Sequence, residues 1–115
     1  MYALLVTWDL SSGAKTDREG LRPYLRERSV PRFRELAGLR QKVWLSQPGG
    51  KWGALYLFES EEARKTAIDH LHESPVVELT GKLPEHELFD VEAVVEGDHS
   101  GSELVTAGIA WQEAS

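Results

Sequence analysis

Cysteine is absent from the 115 residues and methionine occurs once. Without a thiol the chain cannot form a disulfide, a thiolate zinc site, an iron-sulfur cluster or a cysteine nucleophile. No run approaches the roughly 18 apolar residues that a membrane span requires. The opening MYALLVTWDL lacks the basic segment and small-residue cleavage site of a signal peptide, so the expected compartment is the cytoplasm, with no membrane partner. The P-loop, GxGxxG and GxSxG patterns are also missing, which sets aside the usual nucleotide, dinucleotide and serine-hydrolase chemistries.

Charge of one sign is scarce in each half of the chain. Residues 1–51 carry ten Lys and Arg against five Asp and Glu, a balance of +5, whereas residues 52–115 carry three against fourteen, a balance of -11. The halves are complementary, as for charges that pair across one surface or between subunits. The net charge of -6 and a pI near 5.2 argue against a nucleic-acid partner. The arginines Arg18, Arg22 and Arg26 recur every four residues and read as a solvated face paired with acids.

What is present is period-two alternation. Tyr2, Leu4, Val6 and Trp8 share one face of a first strand, with Ala3, Leu5 and Thr7 on the other. Thr16 to Glu19 has the spacing of a capping box, and apolar residues then recur at helical spacing until Gly38, with a kink or break expected near Ser29 and Val30 because of Pro31. Around the turn Pro48-Gly49-Gly50 stand two further strands. Leu39, Val43 and Leu45 share one face of the first; in the second, Trp52, Ala54, Tyr56 and Phe58 face opposite to Leu55 and Leu57. Ser60 caps a second helix carrying the stripe Ala63, Ala67 and Leu71, Ser74-Pro75 opens a short helix ended by Gly81, and residues 86–95 form a fourth strand.

This order gives an α+β fold, the ferredoxin-like β-α-β-β-α-β plait with an antiparallel four-stranded sheet. The expected domain is 1–96, followed by a linker and C-terminal arm over 97–115. A sheet apolar on both faces exceeds what two short helices can cover, so the open face calls for a partner subunit. The basic Arg40 and Lys42 edge is expected to meet acids between Glu87 and Glu92 of that partner.

Lys42-Val43-Trp44, the run Gly53 to Phe58 leading into the acidic helix start, and Phe89-Asp90-Val91 together resemble the YdhR-type monooxygenases of the dimeric α/β-barrel superfamily, which also holds the antibiotic-biosynthesis monooxygenases. The likeness covers roughly residues 2–96. It implies a homodimer, a pocket between sheet and helices in each subunit, and oxidation of an aromatic or polyketide-like small molecule by dioxygen with no cofactor and no metal. Such chemistry needs a flat apolar site, a group that deprotonates or polarises a phenol, and exclusion of water. Two other readings fit the same superfamily: a non-catalytic ligand-binding or stress-related dimer, and a haem-binding or haem-degrading protein with an axial histidine.

Four tryptophans is a high count for this length, and Trp8, Trp44 and Trp52 fall on strands, where they serve as substrate-binding candidates or as plain core. Trp44 stands apart because its side of the strand also holds Arg40 and Lys42. Tyr56, His70 and His72 are the catalytic candidates: a phenol donor, and two imidazoles able to act as a base near neutral pH, set against packing and helix-dipole roles. No HExxH spacing supports a metal site.

Overall fold

The computed structural model describes residues 1–112 and shows the expected plait. Its sheet runs β2 (Leu39–Ser46), β3 (Lys51–Phe58), β1 (Tyr2–Asp9) and β4 (Glu85–Asp90), every neighbouring pair antiparallel. Between β1 and β2 lie α1 (Arg18–Tyr24) and α2 (Val30–Arg34), and between β3 and β4 lie α3 (Glu61–Asp69) and α4 (Pro75–Thr80). No helix among the described residues is long and apolar enough to cross a membrane.

The core lies between these helices and one face of the sheet. Antiparallel pairing places opposed residues on the same side, so Leu4, Val6 and Trp8 of β1 meet Tyr56, Ala54 and Trp52 of β3, with Leu21 and Leu25 of the first helical segment above them. Phe58 and Leu4 have no exposed surface. Arg64 ties α3 down, donating to the carbonyls of Ala3 (3.2 Å) and Phe89 (3.0 Å).

Three local features depart from the sequence pattern. First, the helix begins one residue after Asp17, not at a Thr16 box: the Asp17 carboxylate accepts from the Gly20 amide at 2.9 Å. Second, the irregularity expected near Ser29 and Val30 because of Pro31 is present, as a widened turn between two short α-helices rather than a break. A π-helical turn at Leu25–Ser29 joins α1 to α2, with the Val30 amide donating to the Leu25 carbonyl; the wide turn reroutes the ladder just before a residue that has no N–H to contribute. Third, the β2–β3 register shifts between Leu39 and Gln41, so Leu39 pairs with Phe58 on the helix side while Val43 and Leu45 lie on the open face. The bulge at Arg40 therefore separates three residues that uniform alternation puts together.

β4 is shorter than the expected 86–95, ending at Asp90 where its pairing with β1 reaches Tyr2. The arm beyond it is described as far as Gln112. It holds a 3-10 turn at Ser102–Thr106 and α5 (Ile109–Gln112), which docks on the π-helical turn of its own chain: Arg26 Nη1 donates to the Ala110 carbonyl at 2.8 Å and Ala110 is buried. Arg22 is likewise buried, and Arg18 reaches Ser46 Oγ at 3.3 Å, so this arginine stripe is not a solvated face. The other side of the sheet stays open, with Val43, Leu45 and Phe89 between 43% and 50% exposed.

Candidate functional site

Between the sheet and the helices that cover one face of it lies a cavity of about 580 Å³. β1 contributes Trp8 to its wall, β2 Trp44, and β3 Trp52 and Tyr56; Phe33 of α2 closes it from the helix side, and His70 stands at the rim beyond α3. The pairing explains the convergence. Trp8 is opposite Trp52, and Trp44 is opposite Ala54, whose small side chain leaves the space that the indole borders.

The rings are arranged edge to face and in stacks. Phe33 meets Trp44 edge-on at 6.0 Å and Tyr56 edge-on at 5.9 Å, and Tyr56 stacks on Phe58 at 5.6 Å. The Trp8 indole N–H is committed to the Lys82 carbonyl at 3.2 Å, so this ring offers an apolar surface rather than a donor.

The chemical centre of the cavity is Lys42. Directly opposite Tyr56 in the β2–β3 pairing, it points to the helix side, and its Nζ lies 3.2 Å from the Phe33 ring centroid, 4.4 Å from that of Trp44 and 4.3 Å from that of Tyr56. Among the described residues no ion pair or hydrogen bond to Lys42 is formed. Burial, aided by the Arg32 guanidinium nearby, pushes its amine down to about 6. Each of the three ring faces favours the ammonium, by about 2 kcal/mol when desolvated, and so opposes the effect of burial. Burial also pushes the Tyr56 phenol up to about 12, against an opposing pull from Arg32. Burial thus acts toward an uncharged amine beside an uncharged phenol at neutral pH.

Trp8, Trp44, Trp52, Tyr56 and His70 all line this one cavity, whereas His72 lies on the 3-10 turn at Leu71–Glu73 and is not among the lining residues. His70 is exposed, its Nδ1 2.8 Å from a Glu73 carboxylate oxygen; it is the one histidine among the residues that line this cavity, and it sits on the rim rather than within. Lys42, Phe33 and Arg32 are the residues that sequence reasoning did not assign to the site. The signal for Lys42 was present: counting outward from Ser46 opposite Trp52 across the turn places Lys42 opposite the inward-facing Tyr56. The edge role expected for Lys42 is thereby replaced, since its amine is inside; Arg40 remains at the edge, 3.5 Å from Glu59 of its own chain.

No family model matches the chain, and no curated protein matches it. Among solved structures it is similar to a protein of unknown function from Nitrosomonas europaea, with a TM-score of 0.64 and 17% identity over 84% of this chain and 93% of that one. It is also similar to a variant of SnoaB, a cofactor-independent oxygenase from Streptomyces nogalater, with a TM-score of 0.56 and 13% identity over 84% of this chain and 98% of that one. A dimeric ferredoxin-like protein from an uncultured marine organism aligns with a TM-score of 0.56 and 11% identity over 84% of this chain and all of the other. These likenesses establish the ferredoxin-like fold.

Proposed function

We propose that the protein is a cofactor-independent oxygenase of the dimeric α/β-barrel, antibiotic-biosynthesis-monooxygenase-like type, acting on a flat phenolic aromatic or polyketide-like molecule as a homodimer. The observation that carries this reading is the position of the Lys42 amine amid the rings of Phe33, Trp44 and Tyr56, where burial lowers it to about 6. The SnoaB likeness supports the class of chemistry, and the apolar open face of the sheet supports pairing of two copies.

In this reading the tryptophans and Phe33 sandwich the substrate rings, and Lys42 takes the phenol proton. A buried ammonium is then formed against the phenolate it created, so the anion is stabilised where it arises. The phenolate is the enolate of a ketone whose methylene carbon gave up one hydrogen in forming the enol; it reduces dioxygen by one electron, and the two radicals combine at that carbon as a peroxide that takes a proton back from Lys42. Loss of water leaves a carbonyl there. The methylene gives up two hydrogens and gains one oxygen atom, the other oxygen leaves as water, and all four electrons come from the substrate. Tyr56 stays protonated throughout and is available as a donor.

An oxygen electrode with an anthrone-like phenol tests this. Lys42→Met is expected to lower oxygen uptake by about 10²–10⁴, the range of a general base, and Trp44→Phe to weaken substrate binding. No uptake by the parent protein, or uptake equal in parent and both variants, overturns the proposal; saturable binding without oxygen consumption would instead indicate a ligand carrier.

A further inference from the structure

We propose that Lys42 Nζ is also a carbonyl-capturing nucleophile, which condenses with aromatic aldehydes and ketones to hold them as an imine inside the cavity. This activity needs no dioxygen and is independent of the oxygenase reading, although it uses the same amine.

Three observations carry it. The amine enters a cavity of about 580 Å³ whose nearest surfaces are the three ring faces of Phe33, Trp44 and Tyr56, a slot shaped for a flat aromatic group. Unlike Lys65, held by Asp69 at 3.0 Å, and Lys15, bonded to the Glu78 carbonyl at 3.2 Å, Lys42 has no acceptor among the described residues, so its lone pair is not engaged by a carboxylate or a backbone group. The other charged and titratable groups lining the cavity are Tyr24 from α1, Arg32 from α2, Tyr56 from β3, and His70 and Glu73 at the rim, which bond to each other. Because the Arg32 guanidinium acts on Lys42, a neutral nitrogen is favoured over a second cation, and the imine nitrogen is such a product.

The step balances without a co-reactant. The Nζ lone pair attacks the carbonyl carbon, one nitrogen-bound proton passes to the oxygen through solvent, and the carbinolamine expels water as the C=N bond forms. Nothing is oxidised or reduced, and water reverses the reaction.

Selectivity over other lysines can be sized. With an amine near 6, about two thousand times more of Lys42 is neutral at pH 7 than of a surface lysine near 10.4, while its lower basicity costs about a hundredfold in intrinsic reactivity if the slope known for thiols holds, leaving an advantage on the order of tenfold.

The test uses the whole protein, 2-naphthaldehyde and sodium cyanoborohydride at pH 7, with peptide mapping of the reduced adduct. The expected result is one lysine adduct, on Lys42, forming on the order of tenfold faster than on Lys15, Lys51, Lys65 or Lys82. Its rate should rise with pH through about 6, and 2-naphthol, which fills the cavity but has no carbonyl, should suppress it. Adducts spread evenly over the surface lysines, an unchanged pattern in Lys42→Arg, or no adduct at all would overturn the proposal. Mapping within the parent protein keeps the test decisive even if a variant folds poorly. Oxygen uptake with a phenol but no trapping would retain the oxygenase and reject the imine, and the converse would do the opposite.

Discussion

Lys42 Nζ stands 3.2 Å from the centroid of the Phe33 ring, the closest approach of a cation-forming group to an aromatic face among the described residues. This contact joins β2 to the helix that follows the π-helical turn. It places an amine where water is scarce and a second positive group, Arg32, is near.

That placement costs stability. The folded-state value of about 6 lies below the ordinary 10.5, so between the two the unfolded chain binds a proton that the folded one does not, and stability rises with pH across this window. Lys42→Met is therefore expected to be more stable than the parent by about 1–4 kcal/mol near neutral pH. The gain should be largest at and below pH 6 and should vanish toward 10.5. Urea unfolding midpoints of the two proteins at acidic, neutral and alkaline pH check this; a destabilised variant at all pH values contradicts it.

Tyr56 gives the opposite sign. Its phenol, pushed up to about 12 from an ordinary 10.0, keeps its proton in the folded protein where the unfolded chain would lose it. The stability this contributes is complete below pH 10 and is lost as pH rises through 12. An ultraviolet titration of tyrosinate is expected to show a late step near 12 that Tyr56→Phe removes.

The open sheet face carries a third expectation. Val43 and Leu45 are 43% and 50% exposed on one strand, flanked by Leu5, Leu55 and Leu57. If two copies pair through this face, the double change Val43→Asp and Leu45→Asp weakens association by about 3 kcal/mol or more, at least about a hundredfold in Kd. Sedimentation equilibrium should find a dimer for the parent and a monomer for the variant. A parent that sediments as a monomer at micromolar concentration contradicts pairing.

Much of this architecture was legible in the chain. The alternation in β1 and β3 follows from the two-residue period of a strand, and Ser60, Ser74 and Gly81 mark helix ends by local chemistry: Ser60 Oγ accepts from the Ala63 amide and Gly81 takes a left-handed φ of 70°. What escaped was non-local. The bulge at Arg40 reverses the side on which Leu39 lies, and nothing in the strand's own residues marks it. The π-helical turn meets the demand of Pro31 without ending the helix. A lysine among polar neighbours reads as surface until its cross-strand partner Tyr56 and the distant Phe33 are brought to it. The tryptophan cluster was accessible because Trp8 and Trp52 sit at matching phases of paired strands, whereas Arg22 is buried by packing that its charge does not announce.

The most direct measurement is the titration of the Lys42 side chain itself, followed by NMR of selectively labelled lysine and assigned by its loss in Lys42→Arg. The account predicts one lysine resonance with a midpoint near 6, separate from the other four. A Lys42 ammonium that remains charged up to the ordinary value of 10.5 would contradict it.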